Sequence, residues 1–246
     1  MDIFNKKKNE LVSDANAAEP ILNFLSHNYQ RINIARLKHL HGLKLGIENK
    51  KVIDLGAGIG DHTLFYLFRN CNVVPVEGRQ DLVNFIKFRF GLDAKCVDFE
   101  KELNLLGQFK DFDFVHCFGL LYHLDNPEQF LNVVAGVGNT LLLETMVSPT
   151  SNDNVNLILE DKLNSTQAIS GMGCRPDRNW LFNMLKKNFE FVYVPLTQPN
   201  HVQFPEDWQN IPAGTTHTRV VFIASHSPIK SDMLTQELIT KQSKMK

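Results

Sequence analysis

The chain has 246 residues, 43% of them hydrophobic, with 26 lysines and arginines against 27 aspartates and glutamates. A chain of this length can bury one sizeable core, and α/β folds of this size usually form one domain. The formal net charge of −1 gives no overall electrostatic reason to bind nucleic acid or an anionic membrane. The four cysteines lack metal-ligand spacing, so we assign no metal site and expect free thiols in a reducing cytoplasm.

Residues 1–16 are polar and are expected to form a flexible N-terminus, followed by a domain over 17–228 and a polar tail over 229–246. Neither a signal peptide nor an apolar run long enough to cross a bilayer is evident, which favours the cytoplasm. Apolar residues recur at spacings of three and four over 19–45 and predict one or two amphipathic helices. Tyr29 and Arg31 interrupt this pattern, either as a polar helix face or as a lid that reaches a bound ligand.

The stretch from Val52 to Gly60 predicts a buried strand that ends in a ligand-binding turn. The strand carries Asp54, and glycines follow at positions 56, 58 and 60. Glycine permits backbone angles and close approaches that a Cβ would prevent, so a ligand can lie against the main chain at the start of the next helix. The third glycine falls one residue too early for the Gly-x-Gly-x-x-Gly pattern, which argues against a nicotinamide dinucleotide.

The next two predicted strands also end in acids. Residues 72–77 end at Glu77, which lies 19 residues after Gly58, and residues 94–98 end at Asp98, followed by Phe99. In nucleotide-binding α/β folds, an acid at this distance from the glycine turn binds ribose hydroxyls. Helices are predicted between these strands, over 61–70 and 80–90.

The remaining segments continue this alternation of strands and helices. Residues 111–118 and 140–147 are predicted strands, with a helix between them that begins near Pro127. This order predicts an α/β fold with a doubly wound, mostly parallel sheet and its ligand at the carboxyl ends of the strands. An inserted cap or loop is predicted over 148–174, a helix over 175–188, and two closing strands over 189–196 and 219–225. A long connection, 197–218, joins these strands and is expected to be functional.

Taken together, the glycine turn and the three acids resemble the motifs of class I S-adenosylmethionine (SAM)-dependent methyltransferases. The resemblance implies a seven-stranded Rossmann-like sheet, with helices on both faces and an antiparallel last strand. It also implies SAM as cofactor, with Glu77 at the ribose and Asp98 and Phe99 near the adenine. The full set of expected cofactor-binding residues is Tyr29, Arg31, Asp54, Gly56, Gly58, Gly60, Glu77, Asp98, Phe99 and Phe118.

The segment from Gly119 to Leu124 resembles the corresponding segment of small-molecule and sugar methyltransferases, and it contains His123. A methyl acceptor with a hydroxyl group must lose its proton, so a histidine or carboxylate at this edge of the sheet is a candidate general base. We assign this role to His123, with Glu144 and His201 as further candidates. Each has a structural alternative, such as capping a helix or fixing a loop.

Arg175 and Arg178 lie at the predicted start of a helix, where positive charge opposes the helix dipole unless an anion is near. They are therefore candidates for binding the phosphates of a nucleotide-sugar, with Trp180 available for stacking. Salt bridges at the surface are the alternative.

The sequence as a whole indicates O-methylation of a small polar acceptor, such as a sugar or a nucleotide-linked sugar of a cell-surface polysaccharide precursor. The alternatives are a tRNA-modifying or small-molecule N-methyltransferase, and a catalytically silent SAM-binding partner subunit. Neither DNA nor a membrane is expected as a partner.

Overall fold

A central β-sheet of eight strands organises the part of the chain that the computed structural model describes, residues 20–149, 153–215 and 217–246. The predicted flexible segment 1–16 lies outside these residues. The sheet strands are β1 (Lys51–Leu55), β2 (Asn72–Glu77), β3 (Lys95–Cys96), β4 (Phe112–Phe118), β5 (Gly138–Val147), β8 (Phe191–Pro195), β10 (Thr218–Ser225) and β11 (Leu234–Thr235). Their spatial order is β11-β8-β10-β5-β4-β1-β2-β3.

Six α-helices and two further pairs of short strands accompany this sheet in the described residues, one pair antiparallel and one parallel. The helices are α1 (His27–Gly42), α2 (Asp61–Leu67), α3 (Gln80–Phe90), α4 (Leu103–Leu106), α5 (Pro127–Val134) and α6 (Arg178–Asn188). Outside the main sheet, β6 (Leu157–Leu159) pairs with β7 (Met172–Cys174), and β9 (Thr197–Gln198) pairs with β12 (Ser243–Lys244). None of the helices in the described part of the chain is long and apolar enough to cross a membrane.

The adjacent strands β5, β4, β1, β2 and β3 run parallel to one another. This confirms the predicted doubly wound architecture. β1 pairs in parallel with both β2 and β4, and β4 pairs in parallel with β5. Val52, Ile53 and Leu55 are buried because helices cover both faces of this central strand. β10 is antiparallel to its neighbours β5 and β8. The carboxyl ends of β1, β2 and β4 therefore meet at one edge of the sheet.

The segment predicted as a cap over 148–174 contains the antiparallel pair β6–β7 rather than loop alone. The helix predicted to begin at Arg175 begins at Arg178, because Asp177 has the extended backbone of an N-cap residue (φ −66°, ψ 146°). Asp177 Oδ2 accepts a hydrogen bond of 3.2 Å from the backbone of Asn154 and thereby joins the cap to the helix start.

The polar tail over 229–246 packs against the sheet and adds an eighth strand, β11, which the sequence pattern did not predict. Leu234 and Thr235 pair with the end of β8. The buried Gln242 donates to the carbonyl of Pro195 at 2.7 Å and accepts at 2.8 Å from the indole N–H of Trp208. The tail thus covers the long connection that precedes β10.

Candidate active site

The glycine turn adopts the left-handed backbone that the sequence predicted. Gly56, Gly58 and Gly60 have φ values of 69°, 56° and 83°. Residues other than glycine rarely adopt this left-handed backbone region. The Gly58 amide donates to Glu77 Oε2 at 2.9 Å, and the Arg79 amide donates to Glu77 Oε1 at 3.0 Å. Each carboxylate oxygen retains a second lone pair, so Glu77 can still accept hydrogen bonds from a pair of ribose hydroxyls.

Asp54 lies directly beneath this turn and is 1% exposed. Its Oδ2 accepts a hydrogen bond of 2.6 Å from Thr63, whereas Oδ1 has no hydrogen-bond partner among the described residues. Burial raises the pKa of Asp54 to about 7, and the nearby Glu77 adds to the shift. The buried carboxyl fixes the end of β1 against α2 and holds the turn in place.

A pocket at this edge of the sheet brings together most of the predicted cofactor residues. Its lining includes Tyr29, Gly56, Gly58, Glu77, Asp98, Phe99 and His123. The cap closes the opposite side with residues 165–169, so that a Cβ on Gly78 would lie 2.5 Å from Ile169 Cδ1. The open volume left in this pocket is about 80 Å³.

His123 is joined to a carboxylate that the sequence analysis missed. Its Nδ1 contacts Glu160 Oε2, which also accepts a hydrogen bond of 2.9 Å from the Ala168 amide. Arg175 donates to the other oxygen, Oε1, at 3.1 Å. No sequence signal marks Glu160, because it lies 37 residues beyond His123 and follows a short cap strand. The cap therefore delivers a hydrogen-bonded carboxylate to the predicted base.

Two properties of His123 suit it to accept a proton. Burial lowers its pKa below the ordinary value, although the hydrogen bond to Glu160 opposes this shift, so the imidazole is neutral at pH 7. The surrounding N–H donors hold Glu160 as an acceptor, and the contacts with His123 lower the pKa of Glu160 against the opposing effect of burial. The proton of the neutral imidazole therefore lies on Nδ1, and Nε2 keeps a free lone pair.

Glu144 differs from the sequence-based expectation, because both of its oxygens contact guanidinium groups. It is fully buried, 2.6 Å from Arg36 Nη2 and 3.0 Å from Arg219 Nη1. Arg219 also donates to the Tyr122 hydroxyl at 3.2 Å. Glu144 does not line the pocket, and each of its oxygens lies within ion-pair distance of a guanidinium. The structure therefore gives Glu144 the role of fixing Arg36 and Arg219 rather than that of a base.

The arginine of α1 that approaches the pocket is Arg36, whereas Arg31 was predicted. Arg31 is exposed and lines a separate groove, because it lies on the outer side of the helix. A Cβ on Gly119, at the pocket wall, would lie 3.3 Å from Arg36 Nη2. Tyr29 does line the pocket, and its ring packs edge-on against Phe24 at 5.1 Å. The sequence signal that could have identified Arg36 is helical spacing, because Tyr29, Asn33 and Arg36 share one face of α1.

Phe118 and His201 also lie away from the pocket lining. Phe118 is buried behind the sheet edge, with its ring 4.3 Å from that of His116. His201 lines the same separate groove as Arg31, and its Nδ1 accepts a hydrogen bond of 3.3 Å from the Gln203 amide. Neither position places the side chain at the glycine turn.

The two arginines predicted to bind phosphate are both engaged by protein groups. Arg175 precedes α6 and donates to Glu160 and to the carbonyls of Tyr122 and Cys174. Arg178 is buried, stacks 4.3 Å from the Trp208 ring and donates to the Ile239 carbonyl at 2.8 Å. The dipole argument fails for Arg175, since it lies outside the helix. Arg178 is in the first turn, but its guanidinium points toward the tail.

A parallel sheet with a glycine turn after β1, acids after β2 and β3, and a pocket at that edge defines a class I SAM-dependent methyltransferase fold. Residues 53–139 match the family model of a methyltransferase domain. The chain thus has the class I methyltransferase fold and contains a segment that matches a methyltransferase domain, and Glu77, Asp98, Phe99 and the glycine turn are residues that fit SAM.

Comparison with solved structures supports the fold. The N-terminal domain of EvdMO1, solved in the presence of SAH and D-fucose, has a TM-score of 0.60 and 20% identity over 77% of this chain and 81% of that one. A SAM-dependent methyltransferase from Mesorhizobium loti has a TM-score of 0.53 and 12% identity over 78% of this chain and 97% of that one.

Among curated proteins, the chain is 28% identical to a tRNA U34 carboxymethyltransferase from Campylobacter hominis, over 67% of this chain. The match covers 59% of the relative, so this chain spans less than two thirds of that protein.

Proposed function

We propose that the protein transfers the methyl group of SAM to a hydroxyl of a small polar acceptor, namely a sugar or a nucleotide-linked sugar. The observation that carries this proposal is the pairing of His123 with Glu160 in the pocket that also contains Glu77 and the glycine turn. An alcohol is a poor nucleophile until its proton is removed, so O-methylation has a specific use for a neutral histidine at this position.

SAM, when bound, supplies an electrophilic methyl group on a sulfonium sulfur. The chain's residues would do the rest. Glu77 would fix the ribose, and Asp98 and Phe99 would flank the adenine side. His123 Nε2 would take the acceptor's hydroxyl proton as the new C–O bond forms, while Glu160 stabilises the resulting imidazolium. Alignment in a pocket shielded by the cap provides much of the remaining rate enhancement.

A sugar suits the polar side of the pocket. Polar residues of the lining include Glu100, Tyr122, Thr166 and Gln167. These groups offer both donors and acceptors, which a molecule with several hydroxyl groups can satisfy at once. Acidic lining residues also disfavour a strongly anionic acceptor group at the reacting end.

The proposal is tested by incubating the protein with labelled SAM and a panel of free sugars and nucleotide-sugars. On the acceptor found, His123→Asn should lower kcat by about 10²–10⁴-fold while leaving SAM binding unchanged. His27→Asn, at an exposed position of α1, is the matched control. Parent-like kcat in His123→Asn would remove the assigned base.

The second candidate is modification of tRNA, which the 28% identity to the carboxymethyltransferase from Campylobacter hominis favours. Adding unmodified tRNA to the same labelled-SAM assay separates the two. Incorporation of label into tRNA, with none into the sugar panel, would replace the sugar proposal. SAM binding without turnover on any acceptor would instead favour a catalytically silent subunit.

A further inference from the structure

A large groove in the described structure lies away from the glycine turn. It has a volume of about 890 Å³ and runs between α1 and the C-terminal segment. Arg31, Ile34 and Lys38 form one wall, and residues 230–233 form the opposite wall. The loop at Asn200 and His201 closes one end. The groove is large enough for a ligand of nucleotide size.

Basic side chains dominate this groove, although the whole chain carries a net charge of −1. Arg31, Lys38, Lys44, Lys230 and Lys246 line it, whereas Asp232 is the one acid in the lining. Arg31, Lys38, Lys44 and Lys230 form no ion pair within the described ranges. A concave surface with one sign of charge concentrates ligands of the opposite sign.

The positive charge also affects the pKa of His201, a histidine in the groove. Burial lowers the pKa of His201, and nearby cations, first among them Arg31, lower it further. Arg31 and Lys38 are seven residues apart on α1, which corresponds to about 10 Å along the helix axis. The cations are therefore distributed along the groove and could contact separate anionic oxygens of one ligand.

A second, independent observation concerns the groove residue His39. It is 1% exposed, and its Nε2 lies 2.9 Å from the carbonyl oxygen of Thr197. A carbonyl only accepts hydrogen bonds, so Nε2 carries the proton. Burial lowers the pKa of His39 to about 4. Its Nδ1 is therefore a lone-pair acceptor, and it has no hydrogen-bond partner among the described residues.

Unpartnered buried polar atoms are uncommon and call for a donor. The groove thus offers two kinds of contact, cations for an anion and one buried acceptor for a hydroxyl or N–H group. We propose that the groove between α1 and the C-terminal segment binds a phosphorylated sugar or nucleotide. The phosphates contact Arg31 and Lys38, and a hydroxyl or N–H of the same ligand donates to His39. This site is separate from the cofactor pocket and does not depend on the identity of the methyl acceptor.

Direct titration tests the site, with uridine 5′-diphosphate (UDP) as the probe and saturating SAH to fill the cofactor pocket. UDP should bind, and its affinity should fall as salt is raised. The double variant Arg31→Gln/Lys38→Gln should weaken UDP binding at least tenfold, because charged hydrogen bonds to phosphate are lost. The matched control is Lys87→Gln/Lys187→Gln, which removes the same charge from exposed positions of α3 and α6.

A second arm isolates the histidine. Inorganic pyrophosphate has the charge of the diphosphate but no ribose or base donors, so it should bind more weakly than UDP. His39→Phe should reduce this difference if His39 Nδ1 accepts a ligand hydrogen bond. Circular dichroism establishes that His39→Phe is folded. The double variant Arg31→Gln/Lys38→Gln tests the site independently of His39.

Three outcomes would overturn the inference. UDP could fail to bind at millimolar concentration. Alternatively, the control variant Lys87→Gln/Lys187→Gln could weaken UDP binding as much as Arg31→Gln/Lys38→Gln does. Tight binding of a single-stranded oligoribonucleotide without binding of UDP would assign the groove to RNA instead. Because no methyl transfer is measured, a failed sugar screen with intact UDP binding would contradict the proposed function alone.

Discussion

Two buried glutamates near the pocket illustrate how similar residues acquire different roles. Glu160 contacts one histidine and one arginine, whereas Glu144 contacts two arginines. A histidine can take up and release a proton near pH 7, but a guanidinium remains charged. The Glu160 cluster is therefore equipped for chemistry, and the Glu144 cluster for holding Arg219 and Tyr122 in place. The partners of a carboxylate decide its role more than its burial does.

The largest effect is expected from breaking the Glu144 cluster. Glu144→Gln leaves two guanidiniums facing each other in a buried site, which should lower the free energy of unfolding by about 3–5 kcal/mol. Denaturant titration measures this, with the exposed Glu190→Gln as control. Adding Arg36→Met to Glu144→Gln should recover part of the loss. A loss below about 1 kcal/mol would show that the cluster does not stabilise the fold.

A smaller effect is expected from the Glu160 cluster, and it should appear in catalysis. Glu160→Gln should lower kcat about 10–100-fold, because the amide no longer fixes the tautomer of His123 or stabilises its cation. The kcat of the parent should fall as pH drops through a His123 pKa below 6.5. Since Glu160 raises that pKa, Glu160→Gln should move this fall to lower pH. An unchanged pH profile would separate Glu160 from the base.

The smallest effect, counted per pH unit, is expected from a chain of hydrogen bonds that begins at Arg36 of the Glu144 cluster. Arg36 donates to Asn33 Oδ1 at 2.8 Å, and the same oxygen lies 3.2 Å from His62 Nε2. His62 Nδ1 lies 3.0 Å from His116 Nε2, and His116 Nδ1 lies 2.7 Å from the Tyr66 hydroxyl. The Asn33 amide oxygen only accepts, so Arg36 and His62 Nε2 both donate to it. Burial lowers the pKa of both histidines, and in the neutral pair His116 Nε2 donates to His62 Nδ1 and the Tyr66 hydroxyl donates to His116 Nδ1.

Burial lowers the pKa of His62 to about 3. Below pH 6.5 the unfolded chain binds a proton at His62 that the folded chain does not, so stability falls as pH falls toward 3. This contribution is about 1.4 kcal/mol per pH unit. His62→Asn should make unfolding less pH-dependent by that amount between pH 6 and pH 4. Equal slopes for the parent and the variant would show that His62 is protonated in the fold.

The sequence predicted that most of the proposed cofactor residues would lie at one edge of the sheet, because they lie within a few positions of the ends of strands. The parallel sheet then brings Asp54, Glu77 and Asp98 to one edge without further information. Glu160 and Arg219 contact the lining residues His123 and Tyr122 from the cap and from β10, and no local pattern marks such distant partners. The sequence pattern favoured Arg31 over Arg36 because Arg31 interrupts the apolar spacing of α1. The helix face that Arg36 shares with Tyr29 was not recognised.

Arg79 links the cofactor acid to the cap. Its backbone amide binds Glu77, while its guanidinium donates to the carbonyls of Lys162, Asn164 and Gln167 at 3.1–3.3 Å. The open volume of about 80 Å³ is well below the roughly 300 Å³ or more of ordinary ligand pockets. In the proposed reaction, we therefore expect these hydrogen bonds to open when SAM is exchanged for its product. We expect a pre-steady-state burst of methylated product followed by slow product release, which is the kinetic signature of such gating.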